Sequence, residues 1–515
     1  MTRFSKPLLV LAVVALFALA LGLRFYDLTD QPIDFHPTRQ LRSAIIARGM
    51  YYQMMPNPDP QMLQQAVSFW NSTGQYEPSF LERIVATTYL VIGREQLWVA
   101  RIYSSLFWII GGLALFFLAR RMVNHDSDQA SGNLTLTVAF VIAAYYLILP
   151  FGVQASRAFQ PDPFMVMWFV LYAFCLYRWS ETQSWRWALL AGLFGGLAVL
   201  IKIVAAYLVG GAAIALVLYT LGIKRFWRSL QVYMIAAMLI TPSLIFYVVD
   251  REARASDYFT SWTLQLSHLL LEPSFYARWL SLVQSLMGMA VLIAALLGVL
   301  IATRRNRAML LGLWGGYLIY GLFLPYQMYT HSYYHEQLIP IIALSLVPVV
   351  QAIMQRMQQQ SLPWQLLVVP VLLAGIAFPA WESIAAMKAE NHRVEPAYWQ
   401  KIASYLPTDG KILALTQDYG YRLMYYGWRK VVLWPNRGEI KLSKLRGIPK
   451  EFQSYFAKQI QDKSYFLITA FNQYNDQEDL KQMLSDNYPV YAQGNGYLIF
   501  DLTHPLNASA PAASP

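Results

Sequence analysis

The sequence predicts a polytopic α-helical membrane protein of about eleven spans, followed by a small α/β domain outside the bilayer. Three observations carry this. Only 13% of the 515 residues are charged and 57% are hydrophobic, about half the charged share of an ordinary soluble domain. Apolar runs recur at lengths near the roughly 20 residues needed to cross ~30 Å of hydrocarbon. Beyond residue 383 polar residues return and the apolar runs shorten to strand length.

Residues 1–23, with Arg3 and Lys6 ahead of LLVLAVVALFALALGL, read as a retained first helix; a cleaved signal peptide is the alternative. Residues 24–97 form a long loop that opens on IDFHPTRQLRSAIIARGMYY (33–52). There Asp34 and His36 sit in a turn closed by Pro37. A helix starting at His36 or Thr38 carries Arg39, Arg42 and Arg48. After Pro56, Pro58 and Pro60 comes YEPSFLERIVATTYLVIGREQLWVARI, a mixed segment expected to lie on the bilayer surface as amphipathic helix.

Ten further apolar runs follow, at about 98–118, 133–150, 162–178, 187–201, 203–221, 229–249, 280–302, 308–324, 338–355 and 364–381. Alternating them across the membrane puts Arg120/Arg121, Arg178/Arg186, Lys224/Arg225/Arg228, Arg304/Arg305/Arg307 and Arg356 on the same side as Arg3 and Lys6. That is the positive-inside pattern at every turn, so this side is cytoplasmic. The other side collects the 24–97 loop, QASRAFQPD (154–162), Lys202, the 250–279 loop, PYQMYTHSYYHEQ (325–337) and everything after about 382. The net charge of +11 is explained by topology and anionic lipid, not by nucleic acid. The single cysteine, Cys175, excludes an intramolecular disulfide and a Cys-based zinc site. No internal repeat stands out.

In the last part, KILALT, KVVLW, SYFLITA and GYLIFDL read as strands, with QDYGYRLMYYG and NDQEDLKQMLSDN as helices. This gives a transmembrane domain over 1–385, an extracytoplasmic α/β domain over 386–505, and an Ala/Ser/Pro-rich tail at 506–515 expected to be disordered.

Charged residues beside apolar runs are costly unless paired or wet, so those gathered on the outer side are the candidates for chemistry. Asp34 and Asp162 are the candidate acids. Asp162, between two prolines, belongs at a helix start, where it either caps the helix or acts as a base. Arg157 and Lys202 either meet a phosphate or snorkel to the interface. His36 and Arg39 flank Asp34. His331 and His335, at i and i+4, share a face if helical; phosphate or sugar contact is preferred to a metal, because no third ligand is in place. There is no Walker loop, no dinucleotide fingerprint and no Ser/His/Asp motif.

RFYDL (24–28) with the loop acid Asp34, SRAFQPDPFMVMW, GLAVLIKIVAAYL and HSYYHEQLIPIIALS together resemble the GT-C membrane glycosyltransferases. Within these the plan is similar to glycosyltransferase family 39, the protein O-mannosyltransferase-like and aminoarabinose-transferase-like enzymes. The resemblance covers about residues 1–385. It implies a GT-C-like fold, a polyprenyl-phosphate sugar as donor, and transfer to a glycan, lipid or protein acceptor outside the cytoplasm. By position, Asp34 takes the role of catalytic base, Asp162 the second acidic position, and Lys202 the lysine near the donor phosphate. The family often has Asp-Glu in the first loop, where this chain has Asp34-Phe35-His36.

The expectation is therefore a multi-pass enzyme of the plasma (inner) membrane, in contact with membrane lipids and not with nucleic acid. It needs no identified cofactor and leaves a divalent metal open. A transporter or lipid-linked-sugar flippase is the alternative, weakened by the absence of an inverted repeat. A non-catalytic assembly factor is a third reading.

Overall fold

The computed structural model describes residues 6–123, 132–249, 259–408 and 411–507. The expected disordered tail lies, from residue 508 on, outside the described residues. The chain divides into two compact units: Met1–Thr29, Gln75–Leu81 and Trp98–Glu390 form the first, and Asp30–Gly74, Glu82–Leu97 and Asn391–Pro515 the second. The loop carrying Asp34 thus groups mainly with the C-terminal residues.

From the N-terminus the helices are α1 (Lys6–Phe25), α2 (Pro37–Met54), α3 (Pro60–Ser72), α4 (Phe80–Ile92), α5 (Trp98–Val123), α6 (Gly132–Ile148), α7 (Pro150–Ala155), α8 (Asp162–Thr182), α9 (Trp185–Ile201), α10 (Ala205–Leu221) and α11 (Leu230–Leu244). In the first unit, helices cover every apolar run named above. Among the described residues, five are long and apolar enough to cross a membrane: Lys6–Phe25, Trp98–Val123, Leu230–Val249, Ser332–Gln358 and Leu362–Ala389. Pro273–Met287 and Met289–Ile301 make a sixth if taken together, but they meet at 99°. The apolar run expected at 280–302 is thus split between two helices that meet at Gly288, φ 84°, a backbone state that glycine enters without a Cβ penalty. α6, α9 and α10 are apolar but 17 residues long, about 25 Å of rise.

The first unit exposes apolar side chains and buries several charged ones among its apolar interior. Leu11, Ile214, Leu300 and Val371 are exposed by 62–69%, while Arg24, Arg101, Arg157, Asp162 and Glu336 are buried. Such continuous apolar exposure suits lipid. Helix contact comes through small residues. A Cβ on Gly211 of α10 would strike the carbonyl of Gly312, and one on Gly316 would strike that of Tyr207. The backbones of α10 and the Arg304–Phe323 helix therefore touch directly, the close approach typical of membrane helix pairs.

The second unit holds α2, α3, most of α4, and a five-stranded sheet. Its strands are β1 (Ile412–Leu415), β2 (Val432–Leu433), β3 (Tyr465–Ile468), β4 (Val490–Gly494) and β5 (Tyr497–Asp501), in the order β2-β1-β3-β5-β4. β1 runs parallel to β2 and β3, and β5 runs antiparallel to β3 and β4. β1 is buried along its whole length, as its ILAL sequence requires of a strand covered on both faces. Leu413, Leu415, Trp434, Phe456, Phe466, Ile468 and Phe500 form the core beside it. The sequence reading missed the edge strand β4 and the two amphipathic helices Arg437–Leu445 and Phe452–Gln459.

Candidate active site

In the second unit, α2 begins where Pro37 predicts, with His36 as its N-cap residue. His36 has φ 46°, ψ 66°, left-handed and uncommon for a residue with a Cβ. Its ring packs edge-on against Phe35 at 4.7 Å. Asp34 stands half-buried on this turn. The Nε2 of Gln40 donates to Asp34 Oδ1 at 3.2 Å and to the Phe35 carbonyl at 2.7 Å. Arg39 lies half-buried in the first turn of α2.

The two other arginines of α2 brace the structure. Arg42 donates to the carbonyls of Thr73 and Gly74. Arg48 meets Glu95 at 3.0 Å and the Tyr425 carbonyl at 2.6 Å, with its guanidinium 3.8 Å above the Tyr425 ring and 4.4 Å from that of Trp428. Burial alone would lower the Arg48 pKa, but Glu95 and Tyr425 raise it on balance. Thr38 donates to Asp418, and Asp30 accepts the backbone N–H of His392. These tie the Asp34 segment to residues more than 350 positions later.

In the first unit, Asp162 and Lys202 come together. Asp162 opens α8 and Lys202 follows the last residue of α9 in extended backbone, φ −150°, ψ 112°. Lys202 donates to Asp162 Oδ1. Asp162 is 0% exposed and Lys202 4%. The carboxylate is engaged by the ammonium at Oδ1, and the lysine is buried and does not snorkel outward. Asp162 Oδ2 is buried and meets no hydrogen-bond donor among the described residues. The Lys202 ammonium also sits 4.9 Å from the ring centres of Tyr333 and Tyr334, within cation–π range.

Arg157 is buried and donates to the Asp27 carbonyl at 3.0 Å, with its other amino group against Met387. The shared face expected of His331 and His335 is corrected. His331 leaves its helix in extended backbone, φ −128°, and a single 3-10 turn follows. His331 packs against Tyr333 and Tyr334. His335 is fully buried: its Nε2 donates to the Met328 carbonyl at 3.0 Å, so Nδ1 accepts from the Tyr317 hydroxyl at 2.7 Å. Among the described residues no three His, Cys, Asp or Glu side chains group to hold a metal.

Sequence reasoning missed three buried polar groups of this unit. Gln160 donates to Glu336 at 2.6 Å. Arg24, at the end of α1, donates to Ser156 at 2.7 Å and to the Leu147 carbonyl at 3.0 Å, joining α1 to the α6–α7 region. Its signal was legible: a cation at the end of a long apolar run is costly unless it is paired or wet, and so asks for an inward partner.

Residues 77–246 match the sequence model of the dolichyl-phosphate-mannose-protein mannosyltransferase family. None of the curated proteins matches the chain. Among solved structures, ArnT from Cupriavidus metallidurans bound to undecaprenyl phosphate is similar at TM-score 0.56 and 16% identity, over 98% of this chain and 99% of that one. The archaeal oligosaccharyltransferase AglB from Archaeoglobus fulgidus, in complex with an inhibitory peptide and a dolichol-phosphate, is similar at TM-score 0.52 and 11% identity, over 99% of this chain and 77% of that one. The chain is thus a multi-pass membrane protein with the GT-C transferase fold along its length, and its residues 77–246 carry the sequence pattern of the dolichyl-phosphate-mannose-protein mannosyltransferases.

Proposed function

We propose that this protein is an integral-membrane glycosyltransferase. It moves a sugar from a polyprenyl-phosphate donor to an extracytoplasmic glycan, lipid or protein acceptor, with Asp34 as general base. The observation that carries the assignment of the base is the contrast between the two acids. Asp162 is fully buried and already bound by an ammonium. Asp34 is half-buried, with the Gln40 amide donating to one of its oxygens, and its partial exposure leaves it within reach of an acceptor hydroxyl. A base needs that reach first and a suitable pKa second. The fold and the family match at 77–246 support the donor class, as do the lipid phosphates of the two structural relatives.

In this reading the acceptor O–H loses its proton to Asp34. Its oxygen bonds to the anomeric carbon from the face opposite the phosphate. The carbon–oxygen bond to the phosphate breaks, and the electron pair leaves with the polyprenyl phosphate. The anomeric configuration inverts. Lys202 is the cation proposed for the leaving phosphate, held in direction by Asp162 and the two tyrosine rings, which is stabilisation by a preset charge. Arg39 and Arg157 are secondary candidates. His335, with both nitrogens engaged, orders the 331–336 turn. The outer placement of these residues follows from the positive-inside pattern.

The test is a transfer assay with purified protein, a panel of labelled polyprenyl-phosphate sugars and an extracytoplasmic acceptor extract. Label moving with the wild type and not with Asp34→Asn supports both enzyme and base. Transfer retained in the variant removes Asp34 from the mechanism. Solute or lipid movement in proteoliposomes without any transfer favours the transporter reading.

A further inference from the structure

Resting on that reading of Asp34, we infer that Gln40 is a positioning residue for the base: its side-chain amide fixes both the Asp34 carboxylate and the turn that carries it. Gln40 is 0% exposed, a costly place for an amide unless its hydrogen bonds are made. The two protons of its NH₂ match two acceptors, Asp34 Oδ1 at 3.2 Å and the Phe35 carbonyl at 2.7 Å.

The second of these bonds explains the need for the first. Between Asp34 and α2 the chain reverses through His36 at φ 46°, and Pro37 follows immediately. A left-handed residue with a side chain is strained and persists only where its surroundings over-determine it. The Phe35 carbonyl, one residue earlier, is where the Gln40 amide pins the turn. One side chain therefore holds both the turn on which Asp34 stands and one oxygen of its carboxylate.

The chemistry of the strut also matters. An ammonium or guanidinium there would hold Asp34 as firmly but would oppose its protonation by a full charge. A carboxylate at position 40 would repel it. A neutral donor orients the acid without adding a charge of its own. The charged groups of the surrounding elements are already committed or distant in sequence: Asp30 accepts backbone N–H groups of Gln31 and His392, and Asp418, bound by Thr38, is salt-bridged to Arg422. His36 and Arg39 lie on the segment itself, each with an interaction of its own. None of these charges changes when Gln40 is replaced.

The experiment uses full-length protein with the polyprenyl-phosphate sugar that supports transfer in the panel. Gln40→Leu removes the donor; Gln40→Glu keeps the shape and reverses the hydrogen-bond polarity. Expected are a fall in kcat of about tenfold to a hundredfold, the scale of a misplaced catalytic group, and a donor KM within twofold of wild type. The acid limb of kcat/KM moves to higher pH, further in Gln40→Glu than in Gln40→Leu. An unchanged limb with unchanged kcat in folded variants overturns the inference, as does a raised KM at constant kcat. Failure of both variants to fold also overturns it, in favour of a purely structural amide. Asp34→Asn separates the two readings: if it keeps activity, the base assignment falls; if it abolishes activity while Gln40 variants behave as wild type, only this inference falls.

Discussion

The two acids of this protein are held in opposite ways. In the first unit Asp162 is sealed from solvent and met by the Lys202 ammonium. In the second, Asp34 is half-buried and met by the Gln40 amide. A buried carboxylate must be neutralised by a partner or a proton, and Asp162 has the partner. A carboxylate at a wetter edge needs orientation more than neutralisation, and Asp34 has that. The difference teaches that two aspartates, each near a helix start that a proline marks, can be met by side chains of different charge, an ammonium for Asp162 and an amide for Asp34.

The sharpest way to break the comparison is exchange of each acid for its amide. Asp34→Asn is expected to lower transfer by at least about 10²–10⁴-fold, the range general bases supply, with unchanged thermal unfolding in detergent. Asp162→Asn should reduce both transfer and stability. If the two variants behave alike in both assays, the contrast fails.

Lys202→Met comes next. It leaves a buried carboxylate without its counter-charge, with an expected loss of about 3–5 kcal/mol. The double variant with Asp162→Asn should recover a large part of it, measured as thermal unfolding in lipid nanodiscs. Additive losses would mean that the pair is not a coupled unit.

A smaller effect separates support from chemistry in the second unit. Arg48→Met removes the bonds to Glu95 and the Tyr425 carbonyl and is expected to cost about 2 kcal/mol, less than a fully sealed pair because Glu95 keeps some solvent. Hydrogen exchange of 421–427 should rise. If it does not, α2 is not braced through Arg48.

The smallest effects are pH-dependent and opposite in sign. Burial holds Glu439 above its ordinary 4.5, partly offset by the Asn436 backbone N–H. Its contribution to stability is full below that ordinary value and is lost as pH rises through the raised one. Burial raises Asp501 too, but bonds with Thr503 and His504 bring it below its ordinary 3.8. Its contribution is present above 3.8 and is lost as pH falls through the lowered value. Glu439→Gln should flatten the first dependence and Asp501→Asn the second, read by exchange rates of the second unit between pH 3 and 7 (about the window carboxylates span).

Much of the fold was legible because hydrophobic runs and glycines are local signals. The helices fell where the runs fell, and Lys202 marked the break between α9 and α10. The bend at Gly288 was missed, since a glycine inside an apolar run leaves the hydropathy unchanged. β4 was missed because VYAQG is an exposed edge with little apolar content. In the site, Pro37 announced the turn and the start of α2. Pairing was not legible. Lys202 lies 40 positions from Asp162, and nothing local says which cation an acid will meet. The His331–His335 spacing misled because it assumed helical backbone where the chain is extended. Gln40 carried only a faint signal, an amide among residues that turned out buried.

The grouping of residues 30–74 and 82–97 with 391–515 has a consequence in time. The partners of the Asp34 segment, His392 for Asp30, Asp418 for Thr38 and Tyr425 for Arg48, are synthesised more than 300 residues after it. At about 5–20 residues per second, that interval is tens of seconds. During it the membrane helices are already inserted, but the segment carrying the proposed base lacks its braces. A nascent chain therefore holds the turn of the proposed base without its later braces. They arrive with the last quarter of the chain.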